Sequence, residues 1–297
     1  GTRRALQGKH AARVWSACFT GDSTEFLTTS SDRSLRVWPL DGSGSQSLPM
    51  AHDSEIWTAS IDPGGNWLAS GDKDGILKLH RWPLPQERIA GFPSHPHYRY
   101  SMPVFTPDSS RVLVWESAGG WRTGRWNPAD DSHEPVNLPV YPKGILPDGA
   151  AVMLDAKSCQ VKIMNDGKAP LLLDMPMDAV SGVNARDKGI SPDFGFVFSF
   201  ARSGHAARLD IQSGSVVEIE GFCMADPTAC ALSPGGRFLA AATWTELIVH
   251  DFTTRKTTRL SNDPHWAKTI VFSPDGKRMI TGGVDGQIHI RSLPGDV

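Results

Sequence analysis

No stretch of this 297-residue chain approaches the roughly 18 consecutive apolar residues of a spanning helix, so a helical membrane anchor is excluded from it. Four cysteines, at 18, 159, 223 and 230, are too few for a disulfide scaffold, and none forms a Cys-x-x-Cys or paired Cys/His cluster. No Asn-x-Ser/Thr acceptor occurs, so the cysteine count and this lack together make a cytoplasmic setting the expectation. The formal net charge is only −2, against electrostatic capture of nucleic acid by the chain as a whole. The first residues, Gly1-Thr2-Arg3-Arg4, carry neither an initiator Met nor an apolar signal region. They read as a processed end, with the sequence expected to be one module of a longer protein. No segment holds a helical period over 11 residues, which turns the reading toward strands.

What is present in excess is turn chemistry. Gly (29) and Pro (22) supply about 17% of the residues against about 12% on average, which favours many short strands. One pattern recurs: apolar residues, a small or apolar residue, Pro or Gly, then Asp or Gly. It appears as Phe19-Thr20-Gly21-Asp22, Ile61-Asp62-Pro63-Gly64, Phe105-Thr106-Pro107-Asp108 and Ile145-Leu146-Pro147-Asp148. It returns as Ile190-Ser191-Pro192-Asp193, Leu232-Ser233-Pro234-Gly235 and Phe272-Ser273-Pro274-Asp275. The steps between copies are 42, 44, 40, 45, 42 and 40 residues. An alternating strand precedes each turn, as in Val14 to Phe19, and a second follows, as in Arg278 to Thr281. A polar turn such as Lys73-Asp74-Gly75 leads to a third strand (Leu77 to His80), and a weaker fourth leads into the next copy. Four strands per ~42 residues is one blade of a β-propeller. The expected fold is therefore all-β: a seven-bladed propeller of four-stranded antiparallel blades, residues 1–297 forming a single domain. The last copy ends its third strand near Arg291. Residues 2–7 are expected to supply its outer strand and close the ring.

The copies resemble the WD40 family. The first has Gly8-Lys9-His10, with Asp32 22 residues after His10 and Trp38 six residues further. The resemblance implies a buried, structural hydrogen-bonded tetrad of His10, Thr28, Asp32 and Trp38. In the second copy it implies His52, Ser70 and Asp74, with His80 in place of Trp. The seventh keeps Thr281 and Asp285, with Asp263 at the His place and Arg291 at the Trp place. The middle copies depart further, ending in Trp126-Asn127, Met164-Asn165, Leu209-Asp210 and His250-Asp251.

Catalytic chemistry finds no foothold, so no catalytic residue, metal site or cofactor is expected. There is no Gly-x-Ser-x-Gly elbow, and Ala118-Gly119-Gly120 does not precede a helix. His95 and His97 read as a Pro-rich loop rather than a metal pair, and Asp130-Asp131 and Asp72/Asp74 as solvated turns. Cys18 and Cys230 read as buried small hydrophobes, His205 and His250 as packing residues or tetrad substitutes.

The loop face is more informative. In the WD40 family, partners are often held by the third and fifth residues after the opening His and by the residue before the turn Asp. Applied here, with Ser31, Pro139, Asn184, Thr228, Thr243 and Val284 among the remaining places, this implies a face containing Arg13, Trp15, Glu55, Trp57, Lys73, Arg99, Tyr141, Lys157, Arg186, Arg202, Asp226, Trp266 and Lys268. Seven are basic and two acidic, a local excess of five positive charges on a chain of total −2. Aromatics and Arg are the residues enriched at binding hot spots. The expected function is a non-catalytic interaction, scaffold or sensor module. Its expected partner is another protein or another domain of the same polypeptide, presenting an acidic or phosphorylated segment to a monomeric ring. Two alternatives stand beside it. A nucleic-acid reader could use the same basic, aromatic face, although basic runs are absent. A propeller enzyme or hydrolase-gating propeller is suggested by Ser273-Pro274-Asp275-Gly276, which also resembles TolB-like and peptidase-linked repeats.

Overall fold

The computed structural model describes residues 3–6, 8–48, 52–83, 90–91, 103–106, 108–117, 121–127, 132–136, 142–146, 148, 150–155, 160–164, 169–174, 189–200, 204–222, 227–261 and 266–293. These form seven antiparallel sheets and one short 3-10 turn, Pro234–Gly236, with no α-helix. The first sheet runs Val14–Phe19, Glu25–Ser30, Leu35–Pro39, Gln46–Ser47, each strand paired with the next. The second (Ile56–Ile61 to Ala90–Gly91), third (Val104–Phe105 to His133–Val136), fourth (Pro142–Ile145 to Leu171–Asp174) and sixth (Ala229–Leu232 to Lys256–Ser261) repeat this plan. The fifth has three described strands, Phe196–Phe200, Ala206–Asp210 and Val216–Ile219, plus an isolated bridge from Ile190 to Val197. In the seventh, Ala267–Phe272, Arg278–Gly283 and Ile288–Ser292 are joined by Arg3–Ala5, with Arg3 opposite Arg291 and Ala5 opposite His289.

The recurring Ser/Thr-Pro-Asp pattern has a physical cause. The hydroxyl at its second place accepts the amide five residues on: Glu25 to Thr20 (3.1 Å), Arg111 to Thr106 (3.0 Å), Phe196 to Ser191 (3.0 Å), Phe238 to Ser233 (2.9 Å) and Arg278 to Ser273 (2.9 Å). Where the second copy lacks the hydroxyl, Asp62 accepts the amide of Trp67 instead, at 2.5 Å. The side chain thus fixes the hairpin that joins the first two strands, which ties the repeat to the fold.

Alternating apolar residues then pack sheet against sheet. Trp38 and Phe26 of the first sheet meet Ile280 and Ile290 of the seventh. Leu27 and Val37 of the first meet Ile56 and Leu68 of the second, and Leu77 of the second meets Phe105 of the third. In the other direction Phe272 of the seventh meets Phe238 of the sixth, Leu232 of the sixth meets Phe198 of the fifth, and Leu209 of the fifth meets Val161 of the fourth. The opening strands of the first, second, sixth and seventh sheets line one cavity of about 260 Å³, joined by Pro103, Gly189, Ile190 and Phe198. Sheets standing side by side around a shared cavity are the architecture of a propeller. Two details differ from expectation. Cys18 is only half-buried, packed against the cluster between the first and second sheets and lining this cavity, whereas Cys230 is buried between the fifth and sixth sheets as expected. Asp72, read as a solvated turn residue, is 2% exposed, because it closes its strand instead of entering the turn.

Candidate functional site

The loops that open the first and second sheets are anchored by buried histidines. His10 is fully buried, with Nδ1 2.9 Å from Asp32 Oδ2 and Nε2 2.7 Å from Thr28 Oγ1. A carboxylate only accepts, so Nδ1 carries the proton it donates. The Trp38 indole donates to Thr28 Oγ1 at 2.7 Å, which leaves the Thr28 hydroxyl proton for Nε2. Burial opposes ionisation of Asp32, but hydrogen bonds from His10 and Ser34 outweigh it and hold the carboxyl well below its usual range.

The second sheet departs from the expected set. His52 meets Ser70 at 2.8 Å, but its carboxylate partner is Asp72 at 2.9 Å and not Asp74. The strand register explains the correction: Ile56 pairs with Asp72 as Val14 pairs with Ser30, so Asp72 reaches His52 from the strand end. Asp74 lies exposed, its amide donating to Asp72 Oδ1 at 3.0 Å. In the seventh sheet Thr281 is buried, whereas Asp285 is exposed and accepts the amide of Gln287 from its own turn. His250 packs on Phe252 and bonds Thr257 at 2.8 Å.

Four opening strands carry a register shift, one between Pro142 and Gly144 in the fourth sheet and three in strands that line the cavity. In these three, register shifts between Val14 and Ser16, between Ile56 and Thr58, and between Ala267 and Thr269. The extra residues are Trp15, Trp57 and Lys268, and all three line the cavity. A bulge re-aims a side chain out of the pleat, and here it places these three at the cavity mouth.

Around them two aromatic clusters form. In one, Trp15 and Trp57 lie 5.7 Å apart, and the Trp15 indole donates to Ser31 at 2.8 Å. Glu55 is the hub: it accepts from Ser31 at 2.9 Å and from both indoles at 3.4 Å, with Lys73 at 3.9 Å. Partial burial raises its pKa, but these hydrogen bonds and Lys73 bring it below the ordinary value. Arg13 stacks its guanidinium 4.7 Å over the Trp15 ring. In the other cluster, Trp244 and Trp266 meet edge to face at 5.7 Å, and Lys268 holds its ammonium 4.2 Å over Trp244. These two indoles are 52% and 48% exposed, large for tryptophan on a free surface. Trp266 also has φ +44°, a left-handed conformation that a bulky residue rarely adopts.

Trp15, Trp57 and Lys268 thus line one cavity, with Arg13, Glu55 and Lys73 attached to the first cluster and Trp266 to the second. Arg99, Tyr141, Lys157, Arg186, Arg202 and Asp226 lie outside the described residues. Trp244 was missed by the spacing rule, which stopped one residue earlier at Thr243. The available signal was a tryptophan in a polar turn, Thr243-Trp244-Thr245, with no core to fill.

The family described as "WD domain, G-beta repeat" matches residues 2–39, 45–81 and 257–292. This chain carries WD40 repeats. The human Pre-mRNA-processing factor 17 is 29% identical over 142 residues, covering 43% of this chain and 24% of that protein. The bovine Serine-threonine kinase receptor-associated protein is 24% identical over 116 residues, covering 37% of this chain and 33% of that protein. A protein of that name from Dictyostelium discoideum is 26% identical over 86 residues, 29% of each chain. The chain thus spans about a quarter to a third of the curated relatives it matches. The matched WD40 segments fall on the first, second and seventh sheets, where the tetrad residues and the three bulges are found. Among the described residues, no helix is long and apolar enough to cross a membrane.

Proposed function

We propose that this chain is a non-catalytic interaction module, a single seven-bladed WD40 propeller whose channel mouth holds an acidic segment of another protein or another domain. The observation that carries the reading is the cluster at the mouth. Three described cations, Arg13, Lys73 and Lys268, stand among Trp15, Trp57, Trp244 and Trp266, and three of these seven side chains are aimed there by bulges. A rigid frame of paired strands presents them with little ordering cost on binding. The left-handed backbone at Trp266 fits the same reading, because strain of that kind collects at ligand clamps. The name "receptor-associated" on a relative adds support for a protein partner. A cytoplasmic setting belongs to the same proposal.

The test is a panel of Trp15→Ala, Trp57→Ala, Arg186→Ala, Arg202→Ala and Trp266→Ala. It is read by fluorescence anisotropy against a degenerate Asp/Glu-rich peptide library, with melting temperature measured in parallel. Loss of binding at unchanged melting temperature is expected, and unchanged affinity across all five would sink the face.

A further inference from the structure

The outer strands of the sheets differ in how they guard their free edge. Natural edges are blunted by short strands or by proline. Among the described residues, Gln46–Ser47 and Ala90–Gly91 have two residues and Arg3–Ala5 three. Leu171–Asp174 and Val216–Ile219 have four, as does His133–Val136, which contains Pro135. Lys256–Ser261 of the sixth sheet has six, without proline or glycine, and its residues 256 to 259 are all exposed.

Strand pairing fixes which backbone groups of that strand face outward. The Phe252 amide donates to the Arg237 carbonyl and the Thr243 amide to the Glu246 carbonyl. Glu246, Ile248 and His250 therefore turn their backbone groups toward Phe238–Ala242, and Leu247, Val249 and Asp251 turn theirs toward Leu260, Thr258 and Lys256. The amides and carbonyls of Thr257 and Arg259 point the other way, where among the described residues no backbone group meets them. Side chains hold this edge in place. Arg259 bridges Glu246 at 2.8 Å and donates to the Gly221 and Phe222 carbonyls at 2.6 and 2.9 Å, and Thr257 bonds His250 at 2.8 Å. On the other face Leu260 packs against the core between the sixth and seventh sheets. The edge is thus extended and ordered before anything pairs with it. Its charge selects what can pair. Arg255 and Lys256 are exposed, and among the described residues neither has an ion-pair partner. Asp251, opposite Lys256, holds Arg237 at 3.2 Å. Two copies of this edge would bring like charges together, which opposes self-pairing.

We propose that Lys256–Ser261 is a docking edge to which an extended acidic segment of a partner protein adds as an antiparallel fifth strand. The added backbone bonds Thr257 and Arg259. On the face shared by Lys256, Thr258 and Leu260, it sets a carboxylate opposite Lys256 and, four residues earlier, an apolar side chain opposite Leu260. This edge lies three strands away from Ala229–Leu232, the strand of the same sheet that lines the cavity, so it is a second surface and does not rest on the reading of the mouth.

The probe is a labelled heptapeptide, Ser-Leu-Thr-Val-Thr-Glu-Ser, read by anisotropy on the full chain. Thr257→Pro removes an outward amide that has no ladder bond, and Thr257→Val loses the same hydroxyl but keeps the amide. Thr257→Pro should bind at least about fivefold more weakly than Thr257→Val, at matching melting temperatures. If the proline lowers the melting temperature, the peptide supplies the same comparison. N-methylation of its two threonines, which face Thr257 and Arg259, should abolish binding, and N-methylation of its valine should not. Lys256→Glu should cost about threefold, and a peptide with Lys in place of its Glu should recover the loss. Trp15→Ala and Trp57→Ala should leave the affinity unchanged. Equal binding by peptides methylated at either place would overturn the added strand, as would no binding to the parent chain, and neither result touches the reading of the mouth. Loss of binding in the tryptophan variants would overturn the edge as the peptide's site. A single-stranded oligonucleotide that displaces the peptide and binds both Thr257 variants alike would also overturn it, since the ligand of these cations would then be a phosphodiester.

Discussion

The first and second sheets share one plan and differ in what lies behind it. In the first, His10, Thr28 and Trp38 form a chain in which each buried donor meets an acceptor, and the Trp38 ring also stacks on Phe26 at 6.1 Å. In the second, His52 keeps its hydroxyl and carboxylate partners, but His80 stands where Trp38 stands and faces Leu68 across the strand pair. His80 is 1% exposed, and neither ring nitrogen has a hydrogen-bond partner. The anchoring half of the network, His with carboxylate, is what both loops need to present Trp15 and Trp57. The outer half supports packing, and the second sheet does without it.

The largest effect expected from this comparison is at the carboxylate. Asp72 accepts from His52 and from the amides of Asp74 and Ile76, so Asp72→Ala should cost about 3 to 4 kcal/mol in urea unfolding. Asp74→Ala should stay within about 0.5 kcal/mol, since its side chain is exposed. Equal losses at both positions would break the assignment.

A smaller effect separates the two hydroxyls. Thr28→Val keeps the shape and leaves both the Trp38 N–H and His10 Nε2 unpaired, at about 2 to 3 kcal/mol. Ser70→Ala deprives only His52 Nε2, so about 1 kcal/mol is expected from the same denaturant series. If the two substitutions cost the same, the Trp38 bond contributes nothing.

These contrasts also show what could be read from the chain. The hairpins were legible because their cause is local: a hydroxyl or carboxylate bonds an amide four or five residues on, and that spacing survives in any context. The His10 set was legible because one turn Asp stood at the family distance. Asp72 and Asp74 are two residues apart, one closing its strand and the other in the turn that follows, so spacing selects between them only through strand register, which a residue count does not contain. Glu55 was read as a contact for a partner because its place is outward, yet it is the acceptor for two indoles that arrive from different sheets. That convergence, like the meeting of Trp244 with Trp266, is set by the side-by-side packing of sheets and has no signature along the chain.

The smallest effect at pH 7 tests His80 itself. Burial, with His52 and Lys78 nearby adding to it, lowers its pKa from 6.5 to about 4. A histidine with a depressed folded pKa takes up a proton on unfolding, so stability should fall as pH drops from about 6.5 to about 4, by at most about 1.4 kcal/mol per pH unit. Asp32 acts in a different window: its carboxyl lies below the ordinary 3.8, so its contribution is lost only as pH falls beneath that value. His80→Leu should therefore raise stability at pH 7 by about 1 kcal/mol, by removing two unsatisfied buried nitrogens, and should reduce the slope between pH 6.5 and 4, leaving the share of His250, whose pKa burial also lowers. Urea midpoints measured across pH 3 to 8 for both proteins decide it. A slope in that upper window left unchanged by His80→Leu would move the titration to His250 or another group and leave the second sheet no weaker than the first.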